Sequence, residues 1–439
     1  MVASLVWFAL LCFLALSWFS GIEVASGVSI AKVAAWIVGG LWLVDVAGRL
    51  AFPRSMRVRS ALPRTRRLFA MMGMFASVAV ASTLLASTTG AALGRLGTLA
   101  SLLLMVVVLC DQVRTREDMQ TAYCVFSISG LVFCMVAAIG TVVRIPWLAA
   151  SSHLFAGQER IIGASWDPNF LALSTATCVG LGYYALRQSR SIPVKVVMLF
   201  GLLCAVYATL MSFSRAGALI LLIPAVGILF ARGHRLRRAA IIAAGVMILV
   251  ALIPTTLLEE RVSSLGALPS VIAGEAHVEA LEDSLEIRLS LMAAAVRMMM
   301  ANPLLGIGFG HFAARAQEYG ALTNSDAHNM YLSIGGELGI PGLLIFCIIL
   351  AQVLRLSQWT RHNSPAGACR ESAKGLMVGL ATILGGAFFL SAQTERPLWI
   401  LVSLVICSYA ATRRGLLPLR SDERSSAQPE TGTLGAACR

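Results

Sequence analysis

Uninterrupted apolar runs of about twenty residues recur along most of this 439-residue chain, and a helix needs roughly that many to cross a bilayer. In hydrocarbon the backbone has to satisfy its own hydrogen bonds, so only helices and closed barrels span. Continuous runs, without the polar–apolar alternation of barrel strands, exclude the barrel. Composition agrees, with 58% hydrophobic and only 13% charged residues. The chain reads as an all-α polytopic membrane protein.

About twelve transmembrane helices can be drawn. The first six fall near Leu5–Ile22, Val28–Val46, Leu68–Ser87, Leu93–Cys110, Ala122–Val143 and Asn169–Leu186. The rest fall near Val194–Ser212, Gly217–Phe230, Ala239–Leu257, Met330–Leu354, Leu376–Ser391 and Leu398–Ala411. The first run lacks a basic n-region and a small-residue cleavage site, and is expected to be a span rather than a signal peptide.

A net charge of +13 invites a nucleic-acid reading, but the basic residues cluster in short inter-helix loops. Arg49 to Arg67, Arg114 with Arg116, Arg187 to Lys195, Arg232 to Arg238 and Arg355 to Lys374 form five such groups. Each lies an even number of spans from the amino terminus, so the positive-inside rule places both termini in the cytoplasm. No nucleic-acid partner is expected. The ten cysteines fall in spans or on the cytoplasmic side, with no CxxC, and suggest neither disulfides nor zinc.

On the opposite side two segments are long, Arg144 to Asp167 and Glu259 to Ala327. The expected organisation is therefore nine spans over 1–257, an outer loop over 258–327, three spans over 328–413 and a disordered cytoplasmic tail over 414–439. A loop of that length without function is uncommon. Within it Asp283 to Ala301 reads as an amphipathic helix, with Asp283 as N-cap and Asn302-Pro303 as stop. Asn302 to Gly310 is a glycine-rich turn without the lysine of a P-loop, and reads as a structural bend.

Outer-side cations fall outside the positive-inside rule. Arg215, in Ser-Phe-Ser-Arg-Ala-Gly, is either a snorkelling interfacial arginine or a bidentate ligand for phosphate. Arg288, on the loop helix, is either an intrahelical partner of Glu286 or Asp283, or a second such ligand. Arg160 belongs to the same class. Asp167-Pro168-Asn169 has the form of a helix cap with proline in the first turn, though an acid and an amide at a helix mouth also suit sugar hydroxyls. His328-Asn329 precedes the tenth span, with Ser325 or Asp326 as candidate caps. A helix N-terminus keeps imidazole neutral and competent as a base. Gly335, Gly336, Gly339 and Gly342 narrow that helix, and Glu337 places an ionisable group in its apolar run.

His328-Asn329, nine residues, then Gly339-x-x-Gly342 resembles the signature of bacterial O-antigen ligases, whose superfamily includes O-antigen polymerases and protein O-oligosaccharyltransferases. The contexts of Arg215, Arg288 and Asp167-Pro168-Asn169 match superfamily positions as well. The resemblance implies a GT-C-like inverting glycosyltransferase in the bacterial inner membrane, with a large periplasmic loop and a periplasmic site. It would transfer O-antigen glycan from undecaprenyl diphosphate to lipid A-core, with no cofactor, metal or ATP. His328, Arg215 and Arg288 become the catalytic candidates, and Arg160, Asp167, Asn169 and Asn329 the substrate-binding ones. Independently, no Asp-x-Asp pair stands on the outer side, and Glu259-Glu260 and Glu282-Asp283 are poor metal ligands in a solvated loop. A transporter of similar size would show repeated halves, and the sequence shows none.

Overall fold

The computed structural model describes residues 2–25, 28–51, 63–86, 90–143, 151–155, 158–161, 163, 165, 167–230 and 283–416. Up to residue 230 it contains α1 (Val2–Leu16), α2 (Ile30–Ala51), α3 (Pro63–Leu85), α4 (Gly90–Gln112), α5 (Arg116–Val143), α6 (Pro168–Gln188), α7 (Ile192–Met211) and α8 (Arg215–Phe230). From residue 283 follow α9 (Asp283–Ala301), the single turn α10 (Phe312–Arg315), α11 (Met330–Asn363), α12 (Ala368–Gly386) and α13 (Arg396–Leu416). A helix thus stands at eleven of the twelve expected spans. The ninth, Ala239–Leu257, lies outside the described residues, as do 258–282 of the expected loop and the tail beyond 416.

Six of these helices (α2, α3, α4, α5, α7 and α11) are long and apolar enough to cross a membrane, and α1 and α8 are shorter apolar helices. Side chains such as Phe8, Leu43, Leu199 and Phe200 point outward from the bundle. An aqueous protein avoids a surface of that kind, whereas a lipid-facing one requires it. The chain is a multi-pass membrane protein. Sheet among the described residues is confined to two small antiparallel hairpins, at 23–29 and 151–161.

Basic residues from several of the short loops meet at one end of the bundle. Asp111 at the end of α4 accepts from Arg49 on α2 at 2.6 Å and from Trp42 at 2.9 Å. Glu371 pairs with Arg187 on α6 and with Lys374. Arg414 at the end of α13 donates to the carbonyl of Arg114. Individually such pairs contribute little. Their value here is positional, since they put the ends of α2, α4, α6, α12 and α13 on one side and leave His328 on the other.

The organising element is α11, which is two helices joined at a break. Proline 341 has no N–H to give the carbonyl of Glu337 four residues back, and it biases Ile340 away from helical geometry. Gly339 takes up the bend, with φ 67° and ψ −171°. The break frees two carbonyls and one N–H, and the Asn302–Gly310 turn meets all three. Ile307 donates to Gly336 O at 3.0 Å, Gly308 to Glu337 O at 3.1 Å, and Ile340 donates to Pro303 O at 2.8 Å. Ser82 on α3 adds a hydroxyl to the Glu337 carbonyl at 2.9 Å. The expected bend is thus a plug for a broken helix.

Backbone approach this close excludes side chains on both partners. A Cβ on Gly306 would stand 2.3 Å from the Glu337 carbonyl carbon, and one on Gly339 would stand 2.6 Å from Pro303 O. The other motif glycines serve the same packing: Gly335 lies against Met299 and Gly336 against Ala295. On that contact α9 buries Leu291, Ala294, Ala295 and Met298 with Ile307 and Phe312, in a small core separate from the main one. Helix α9 occupies the expected 283–301 range, but Asp283 is its first residue rather than the cap before it.

Gly339→Ala combines left-handed backbone, costing about 1–2 kcal/mol, with overpacking that typically costs about 1–3 kcal/mol. A marked fall in the melting temperature of the detergent-solubilised protein is expected. Gly40→Ala, where no atom lies within 4 Å of the new Cβ, should leave it within a degree or two of wild type. Equal shifts for the two variants would refute the plug.

Candidate functional site

The end of the bundle opposite the basic cluster gathers the starts of α6, α8 and α11. At α6, Asp167 is the N-cap, accepting from the N–H groups of Asn169 at 2.7 Å and Phe170 at 3.2 Å. Asn169, buried, accepts through its side-chain oxygen from the Ser214 hydroxyl at 2.8 Å. Ser214 in turn caps α8 by accepting from Gly217 N–H at 3.0 Å. That chain of bonds fixes the N-terminus of α8, where Arg215 is the first residue, against the N-terminus of α6. Arg215 is placed here by its backbone, and its side chain lies outside the described residues.

Helix α11 is capped by Asn329, not by Ser325 or Asp326. The Asn329 side-chain oxygen accepts from Tyr331 and Leu332 N–H, each at 3.0 Å, and its amide donates to Phe388 O at 3.1 Å. Met330 N–H donates to Ala387 O at 2.8 Å. The sequence offers Ser325 or Asp326 as the cap ahead of the apolar run, but the helix starts at Met330 and Asp326 has a longer-range partner. Arg95 on α4 holds it in a two-pronged ion pair, with N···O distances of 2.9 Å and 3.2 Å.

His328 sits between these two anchors with φ 48°. Among the described residues only Phe213 shares a positive φ without being glycine, also at 48°. Left-handed backbone at a bulky residue costs free energy and persists where the surroundings over-determine it. Both instances fall at the entrances to α8 and α11, one two residues before Arg215 and the other at the histidine itself.

The imidazole is largely enclosed, and its pKa is pushed below the ordinary histidine value. Burial is the largest cause and the positive charge of Arg288 the next, while the carboxylates of Asp167 and Asp326 pull the other way. His328, Arg288, Asp167 and Asp326 therefore share one electrostatic site. Of the residues singled out in the sequence, Arg288 and Asp167 are near enough for their charges to act on His328. The structure also adds the starts of α8 and α11, which carry Arg215 and Asn329. Arg160 lies in the 158–161 strand, its side chain outside the described residues. Asn169 and Asn329 act as observed in internal bonds that hold the site's walls.

Two contributors escaped the sequence reading. Arg95 lies on the His328 end of α4, where the positive-inside rule does not account for an arginine; that anomaly was the available signal. Glu395-Arg396, between α12 and α13, stands at the same end, and the field of Asp167 reaches Glu395 as it reaches His328. Glu337, fully buried, is engaged locally through one oxygen: it accepts from Phe312 N–H at 3.1 Å, pinning α10 to the break in α11, while its other oxygen has no hydrogen-bond partner among the described residues.

Chemically, the site offers a base and cations. A neutral imidazole is poised to accept a proton, and a guanidinium beside it favours an anion. The three helix N-termini are capped by Asp167, Ser214 and Asn329 side chains, so cationic side chains rather than open helix ends remain to meet a negative ligand. Among the described residues no three His, Cys, Asp or Glu side chains converge as metal ligands.

In comparison with known proteins, residues 200–347 match a family model, Wzy_C, described as O-antigen ligase. The match covers about a third of the chain, and contains Arg215, Arg288, His328 and the break in α11. Arg95, Asp167 and Glu395 lie outside it. No curated protein matches the chain.

The charges around His328 set signs that can be measured. Arg288→Gln removes a cation that opposes protonation and should raise the imidazole pKa. Asp326→Asn removes a carboxylate that favours it and should lower the pKa. Histidine-selective NMR titration of the two variants distinguishes them, and shifts in the same direction would refute the arrangement.

Proposed function

Starting from membership of the O-antigen ligase superfamily, which the match over residues 200–347 supports, we propose that the chain transfers O-antigen glycan from undecaprenyl diphosphate to lipid A-core. The observation that carries this reading is His328: enclosed, held in a left-handed backbone, biased toward neutrality and set beside Arg288. A histidine of purely structural role has no need of such a setting.

In the proposed step, the acceptor sugar hydroxyl attacks the donor's anomeric carbon from the face opposite the diphosphate, so the configuration inverts. Its proton passes to the free ring nitrogen of His328. The bond between the anomeric carbon and the phosphate oxygen breaks, and the diphosphate leaves with the electron pair. Arg288 and Arg215 meet the charge that grows on the diphosphate, the role a divalent cation plays elsewhere, and the reaction then needs neither metal nor ATP. Asp167 steadies the imidazolium formed on the way. The gathering of basic residues at the opposite end of the bundle supports a cytoplasmic assignment for that end and a periplasmic one for the site. A GT-C-like architecture of about twelve spans in the inner membrane fits the same reading.

The test is transfer by purified protein given lipid-linked glycan and rough lipopolysaccharide, read as a ladder on a gel. His328→Ala is expected to lose about 10²–10⁴ in rate, the usual worth of general-base help. Activity near wild type would remove the histidine from the chemistry. Extension of lipid-linked glycan without any lipopolysaccharide would instead identify a polymerase of the same superfamily.

Protonation of His328 removes the base, so the rate should fall as pH drops through its depressed pKa, with an inflection below the ordinary histidine value. A pH–rate profile flat across that region would contradict base catalysis while leaving a binding role open to the alanine test.

A further inference from the structure

Beside the His328 site lies a second opening that the proposed chemistry leaves unused. A polar cavity of about 260 Å³ is walled by Ser20, Gly21 and Glu23 after α1, Ser29 and Lys32 at the start of α2, Thr98 on α4, Thr394 and Glu395 before α13, and Arg396 at its first turn. It continues into an apolar groove of about 310 Å³ among α1, α2 and α4, and the two share Lys32, Thr98 and Arg396. The groove follows α4 from Gly94 to Met105, about 16 Å of helix at 1.5 Å per residue.

Three observations say that a ligand, rather than the protein, is meant to fill it. Small residues on a membrane helix ordinarily let a second helix approach, yet among the described residues no atom lies within 4 Å of a Cβ built on Gly94 or Gly97. The Glu395 carboxyl lines the cavity and makes no hydrogen bond or ion pair to any described residue. Burial pushes its pKa up to about 7, against the pull of Arg396. Arg396 donates to the Ser29 hydroxyl at 2.9 Å, which occupies one of five guanidinium N–H groups and leaves others along the cavity wall.

Carboxyls at Glu23 and Glu395, cations at Lys32 and Arg396 and several hydroxyls, opening onto an apolar channel, match a phosphorylated glycolipid. The sugar hydroxyls need acceptors, the phosphate needs a fork of donors, and the chain needs a dry groove. Location decides between donor and acceptor. Arg215 and Arg288 stand on α8 and α9, whereas this groove lies among α1, α2 and α4. The 392–395 connection, whose Thr394 and Glu395 line the cavity, also reaches the start of α11, where Gln393 donates to Ser333 at 3.0 Å.

We infer that this cavity and groove seat the acceptor glycolipid, with sugar hydroxyls on Glu395, a phosphate on Arg396 and an acyl chain along Gly94–Met105 of α4. The inference rests on the transferase reading above for the word acceptor, but the site is defined by its own residues.

The experiment is lipid binding to the full chain in nanodiscs, by native mass spectrometry, with three probes: rough lipopolysaccharide, undecaprenyl-diphosphate-linked glycan and phosphatidylglycerol. Arg396→Gln and Gly97→Leu should each weaken rough lipopolysaccharide about tenfold or more, as expected for loss of a charge-assisted hydrogen bond or of the channel. Glycan-donor and phosphatidylglycerol binding should stay unchanged. Arg396→Lys should restore part of the loss and serves if the glutamine variant folds poorly. Gly97→Leu fills open space, so its melting temperature should match wild type.

Unchanged lipopolysaccharide binding in both Arg396→Gln and Gly97→Leu would overturn the inference. So would selective loss of the donor, which would assign the groove to the other substrate, or equal loss of all three lipids, which would mark a general lipid contact. The transferase reading fails separately: transfer surviving in His328→Ala sinks it, whatever Arg396→Gln does to binding.

Discussion

Everything at the His328 end depends on one missing hydrogen bond, the one Pro341 cannot make. Proline inside a helix costs roughly 3 kcal/mol or more, and an unpaired backbone group in hydrocarbon costs several kcal/mol more. A membrane helix broken in the middle is therefore tolerable only where another segment supplies the missing partners. The 302–308 turn does so through three backbone hydrogen bonds. It brings with it the strap that runs from residue 309 back to the mouth of α11. The position of His328 follows, because the strap is fastened at the break by Phe312 to Glu337 and near its end by Asp326 to Arg95 and Asn329 to Phe388.

This explains which parts of the protein were legible in the sequence. Apolar run length is a local quantity, and it located eleven helices whose centres coincide with the expected spans. The histidine–glycine spacing was also legible, since Gly339 and Gly342 mark a break whose consequences are written nearby. What stayed hidden was pairing across long separations. Arg95 and Asp326 are 231 positions apart, and nothing local to Asp326 tells a cap from an ion pair. Asn329, rather than Ser325 or Asp326, stands at the helix start, and Asp326 is engaged instead by an arginine on α4.

The glycine turn shows the same limit from the other side. Its composition correctly announced a bend, because Gly306, Gly308 and Gly310 all adopt positive φ. Composition says nothing about what a bend is pressed against. Only the approach of Gly306 to the Glu337 carbonyl, where no Cβ fits, shows that the turn and the broken helix were shaped for each other. An ionisable group such as Glu337 in an apolar helix is costly and usually functional or paired. Here its carboxyl receives a backbone N–H of the strap.

The strain at His328 gains meaning in this setting. A left-handed residue flanked by free chain would relax, and the imidazole would swing with it. Here the residues on either side are fixed, Asp326 by a bidentate guanidinium and Asn329 by its own capping bonds, so the backbone between them has little freedom to move. A general base depends on such fixity, since an angstrom of drift in a proton acceptor costs orders of magnitude in rate. The ring is also kept neutral by burial and by the charge of Arg288. Rigid backbone and restrained charge are separate requirements; the broken helix meets the first and the neighbouring charges meet the second.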